Sequence, residues 1–147
     1  LGLDVDINLL PPNSKAYQYA RLYKNDPNEC TIIGHGKPMS LAGRSSDLIW
    51  KIIQNTPSCK GKPIRLLGCN TGVRAKPQWS FAQLLANKTG MVVYAPGNWG
   101  WLPPSGDFFI APTTHNLPWT TEESVAMADL PNKSKIQPFL RFDPKAK

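Results

Sequence analysis

A histidine between two glycines and a cysteine behind one are the residues of this chain best suited to covalent chemistry. His35 stands in Ile33-Gly34-His35-Gly36, and Cys69 in Leu67-Gly68-Cys69-Asn70. A thiolate is a strong nucleophile, and a neighbouring imidazole raises the thiolate fraction. Such a pair attacks an amide carbonyl, the chemistry of a cysteine hydrolase. Backbone around Gly36, Gly68 and Cys69 is placed to hold the oxyanion that forms, each N–H donor lowering the barrier by about 3 kcal/mol. Read alone, Gly-His-Gly is a turn and a strand-end cysteine is inert. Only the pair, in this order, points to catalysis.

Two apolar runs must position these residues. Cys30 to Gly34 and Ile64 to Leu67 read as buried strands by their β-branched and apolar content. Ser45 or Ser46 caps a helix between them, with Leu48, Ile49, Ile52 and Ile53 as its apolar stripe and Pro57 as its end. A further helix is expected from about Gln78 to Lys88, stopped by Gly90, and a further strand from Met91 to Ala95. Strand, helix, strand, helix, strand implies right-handed crossovers and a parallel sheet covered on both faces. Ligands of such sheets bind beyond the carboxyl ends of the strands, where His35 and Cys69 fall.

Outside this segment, Asp4 to Leu10 reads as a first strand, and Ser14 caps a helix running to about Tyr23. Asp107 to Ile110 and Phe139 to Phe142 read as short strands, the latter at an edge. Thr120 to Glu123 looks like a helix start. We expect one domain over residues 1–147, with a core from 4 to 110 and a loop-rich part from 111 to 147. Leu1 is not an initiator methionine, so the chain is expected to be a C-terminal fragment of a larger protein. No apolar stretch approaches the ~20 residues that span a bilayer.

The net charge of +7 is concentrated between residues 37 and 76. Lys37, Arg44, Lys51, Lys60, Lys62, Arg65, Arg74 and Lys76 stand there against Asp47 alone. This basic rim would attract an acidic substrate, nucleic acid or an acidic partner, or is simply a solvated face. Arg44, Arg74 and Asn70 are candidate substrate-lining residues. Trp99 and Trp101 are candidates as well, because binding walls are often aromatic; as an alternative they cover the core. His115 reads as a surface residue. The cysteines at 30, 59 and 69 show no metal-ligand spacing, so no metal or cofactor is expected. A Cys30–Cys59 disulfide is open, with reduced thiols the expectation.

Gly34-His35-Gly36 followed by Gly68-Cys69-Asn70-Thr71-Gly72 resembles the caspase-like (clan CD) cysteine peptidases. In that superfamily one hydrophobic strand precedes His-Gly and a second precedes the nucleophilic Cys. The resemblance implies a three-layer α/β/α fold with a mostly parallel central sheet, and roles of base for His35 and nucleophile for Cys69. Over roughly residues 4 to 102, "TIIGHGKP", "IRLLGCNTG", "SFAQLLANKTG" and "VVYAPGNWGW" are similar to a C-terminal domain of Rhs-type and contact-dependent-inhibition polymorphic toxins. That likeness implies an effector secreted or delivered from a bacterial surface, acting on a protein in the target cell, with a cognate immunity protein whose binding surface is acidic. Some superfamily members cleave after basic residues through an acidic pocket. Only Asp47 and Asp107 are placed to contribute acid here, so an acidic or neutral substrate is expected. Peptide hydrolysis, deamidation and acyl transfer all use this apparatus. The alternatives are a basic nuclease-type toxin acting on tRNA or DNA, and an inactive caspase-like binding domain.

Overall fold

The computed structural model describes residues 2–145. Five strands form the main sheet: β1 (Ile7–Asn8), β2 (Cys30–Ile33), β3 (Ile64–Leu67), β4 (Val93–Ala95) and β5 (Leu140–Phe142). They lie side by side in chain order. The first four are parallel, and β5 closes one edge antiparallel to β4. Among the described residues, four α-helices accompany them: α1 (Lys15–Ala20), α2 (Ser46–Gln54), α3 (Phe81–Thr89) and α4 (Glu123–Ala128). The chain is therefore a mixed α/β protein with a mostly parallel sheet.

Local chemistry accounts for the helix ends. Ser14, Ser45 and Ser80 each accept a hydrogen bond from the backbone N–H three residues on, satisfying a donor that the helix leaves orphaned. Gly90 ends α3 in the left-handed conformation at φ 72°. Helix α3 starts at Phe81, later than Gln78, because Ser80 is the residue that caps it. Helix α1 ends at Ala20, short of Tyr23, because Lys24–Asn25 leaves to pair antiparallel with Gly2–Leu3.

Alternation along β2 and β3 divides the core. Ile32, Ile64 and Leu66 pack with Ile49 and Ile53 of α2 and with Phe81 and Leu85 of α3. Ile33 and Leu67 pack with Leu10, Ala20 and Tyr17, joined by Leu102, Phe108 and Phe139 from the C-terminal part. Leu48, expected in the α2 stripe, is exposed instead. The loop-rich part contains a ribbon of Gly100–Trp101 against Phe109–Ile110, followed by α4. Among the described residues, no helix is long and apolar enough to cross a membrane.

Two expectations need correcting. Cys30 and Cys59 are not reduced thiols but a disulfide, with Cα atoms 4.7 Å apart. The turn Pro57–Cys59 that follows α2 returns beneath the start of β2, which the spacing of the cysteines does not reveal. The basic rim is also incomplete. Arg65 faces the opposite partner set: it donates to both oxygens of Glu29 at 2.6 and 2.9 Å and stacks on Tyr94 and Phe139.

Candidate functional site

The register of β2 and β3 sets the site. Ile33 pairs with Leu67, so His35 and Cys69 each follow the same rung by two residues. Beyond Ile33 the chain turns into a hairpin of Gly36–Lys37 with Ser40–Leu41, and Ala42 N–H donates to the His35 carbonyl at 2.7 Å. Beyond Leu67 it turns tightly. Thr71 Oγ1 donates to the Gly68 carbonyl at 2.9 Å, and Asn70 takes a left-handed φ of 60°, a conformation asparagine tolerates. The two turns touch through backbone. A Cβ on Gly36 would lie 2.5 Å from the Cys69 carbonyl oxygen, so only glycine permits this approach. At Gly68 the neighbour is a side chain instead, since a Cβ there would meet the Leu41 Cδ1 methyl at 2.6 Å.

His35 and Cys69 line one cavity of about 190 Å³, with apolar walls from Leu10, Ile33, Leu67, Leu102, Phe108 and Met127. The Cys69 thiol is buried. It donates to the Gly100 carbonyl at 3.4 Å and accepts from the Gly100 N–H at 3.2 Å. His35 reaches the same cavity from the rim, with more than half its side chain exposed. Among the described residues, no hydrogen bond joins the two directly.

The group between them is Glu123, the first residue of α4. Its carboxylate pairs with His35 Nδ1 and lines the same cavity as the Cys69 thiol. The hydrogen bond to Glu123 raises the His35 pKa, outweighing the burial that would lower it. The Cys69 pKa is pushed far up, first by burial and then by the negative charge of Glu123, with the Gly100 N–H opposing. The resting site therefore holds a carboxylate, a cation-prone imidazole and a neutral thiol.

Other candidate residues lie elsewhere. Trp99 and Trp101 are buried, and their indole N–H groups donate to the carbonyls of Leu117 and Ala111 at 3.0 and 2.9 Å. They pack with Cys69, Ala111 and Ala126, backing the cysteine without lining its cavity. Arg44 donates to the Ala42 carbonyl at 3.0 Å. Arg74 donates to Gln78 and stacks on Trp79. Neither reaches the cavity, nor does Asn70, whose backbone N–H donates to the Asn98 carbonyl at 2.9 Å. Asp47 pairs with Lys88 at a separate cavity, and Asp107 is exposed outside the site. His115 is exposed and bonds Asp129 at 2.8 Å. Glu123 was the acid that sequence reasoning missed. The helix start at Thr120 to Glu123 was its one signal, and only tertiary packing brings that helix to the strand ends. Among the described residues, no three His, Cys, Asp or Glu side chains are grouped to hold a metal ion.

A family model described as Domain of unknown function (DUF8616) matches residues 5–110. The chain belongs to that family. The DUF8616 region carries His35, Cys69 and both glycine turns, whereas Glu123 enters from beyond it. No curated protein matches the chain.

Proposed function

We propose that the domain is a cysteine-dependent amide hydrolase of peptidase-like chemistry, with Cys69 as nucleophile and His35 as general base and then acid. The observation that carries this reading is the meeting of His35, Cys69 and Glu123 in one cavity at the carboxyl ends of adjacent parallel strands. An apolar, partly closed cavity strengthens charge interactions inside it.

In the reaction His35 accepts the thiol proton, and sulfur bonds to the carbonyl carbon. The developing oxyanion is assigned to backbone N–H groups of the two glycine turns. His35 then returns the proton to the leaving nitrogen, and water hydrolyses the thioester.

The finer fold assignment, a three-layer caspase-like α/β/α domain, belongs to this proposal. So does the biological setting: a bacterial polymorphic-toxin effector delivered to a neighbouring cell, acting on a protein there and blocked by an immunity protein with an acidic surface. The Cys30–Cys59 disulfide supports passage through an oxidising space.

Cys69→Ala and His35→Ala, each expressed in a cell-killing assay, test the mechanism. Each is expected to abolish killing, with cellular nucleic acid intact and target protein altered. Full toxicity of both variants refutes the mechanism.

A further inference from the structure

Glu123 occupies the site in a particular way. It reaches the site as the side chain of the first residue of α4. Its carboxylate ends against His35 Nδ1 beside the Cys69 thiol. The free space beside it is small, about 190 Å³ with Glu123 itself as one wall, well below the ~300–1,000 Å³ of sites that enclose drug-sized ligands. Leu10, Ile33, Leu67, Leu102, Phe108 and Met127 line the rest of it, an apolar wall suited to the methylenes of a glutamine side chain. An extended peptide must bring residues on both sides of its scissile bond to the nucleophile. A single side chain thrust in from an intact backbone needs only this slot.

We propose that the site takes the carboxamide side chain of glutamine and hydrolyses it to glutamate, and that Glu123 is a built-in mimic of the product. This rests on the reading of Cys69 and His35 given above and names its substrate class. Sulfur bonds to the glutamine Cδ while His35 takes the thiol proton. The C–N bond then breaks, and ammonia leaves with that proton. Water adds to the thioester and the C–S bond breaks, one water proton restoring the thiol and the other passing to ammonia as ammonium, which leaves a carboxylate. Charge favours this order. The anionic product holds His35 as a cation, whereas a neutral carboxamide exerts no such pull and leaves the imidazole free to act as base.

Glu123→Gln supplies the substrate in cis and is nearly isosteric. Mass spectrometry of the purified variant is expected to show position 123 converted from amide to acid, with conversion lost in the Cys69→Ala/Glu123→Gln double variant. Conversion in both proteins refutes the proposal. Persistence of the amide, while Cys69 reacts with iodoacetamide faster than in the parent chain, refutes the substrate class and leaves the nucleophile standing. Persistence of the amide with an unreactive Cys69 overturns both readings. Glu123→Ala, which empties the slot, gives a second arm. It is expected to release ammonia from an added glutaminyl peptide, and a folded Glu123→Ala protein that releases none also refutes the proposal.

Discussion

Gly36→Ala should disable the site without touching a side chain in it. The added Cβ would lie 2.5 Å from the Cys69 carbonyl oxygen, 2.6 Å from the Gly68 carbonyl carbon and 2.7 Å from the Cys69 nitrogen. An unstrained contact needs about 3.5 Å, so the His35 turn and the Cys69 turn must part by roughly 1 Å. All three contacts are backbone atoms, and no rotamer change relieves them. Overpacking of this kind costs about 1–3 kcal/mol of stability. A displacement near 1 Å between reacting groups costs ~100-fold in rate. Gly61→Ala is the matched control. Gly61 has φ 70° with nothing within 4 Å of its would-be Cβ, so it incurs about 1–2 kcal/mol of backbone strain at a turn remote from the site. Urea unfolding and cell killing measured side by side separate the two effects. Both variants should lose comparable stability, but only Gly36→Ala should lose activity. Parental toxicity and an unchanged unfolding midpoint for Gly36→Ala would refute the close approach on which the site is built.

Two other perturbations test the remaining parts. Because pairing with Glu123 raises the His35 pKa in the folded state, the pair stabilises the fold fully below the ordinary histidine value near 6.5, and this contribution fades as pH rises through the raised value. In Glu123→Ala the His35 pKa should fall and that pH dependence should vanish; an unchanged imidazole titration by NMR would contradict the pairing. Reducing the Cys30–Cys59 disulfide, which closes a loop of sequence separation 29, should lower stability by about 3.6 kcal/mol from loop-closure entropy. Urea unfolding with and without reductant measures it, and coincident curves would show that the crosslink contributes nothing.

Much of the fold was legible because its signals are local. Serine caps, the Gly90 stop and apolar runs of strand length place α2, α3 and strands β2 to β4 within a few residues. His35 and Cys69 were legible as a pair for the same reason, since each breaks an apolar run at a glycine. The aromatic candidates misled because composition does not say which side of a strand end a tryptophan takes. Trp99 and Trp101 turn inward, where Leu117 and Ala111 carbonyls satisfy their indole N–H groups. The cations misled likewise: Arg65 sits on a strand whose alternation aims it at Glu29, not at the rim.

The amino-acid sequence by itself determined the parallel α/β framework and set a nucleophile and a base beyond its strand ends, because helix caps, strand runs and glycine turns act over a few residues. Tertiary structure alone decided what stands between them. Glu123 arrives on a short helix from beyond the family region, and Cys59 returns under β2 after a full crossover. Both contacts join residues far apart in the chain, and their effects on pKa and stability come from burial and proximity that no local pattern encodes.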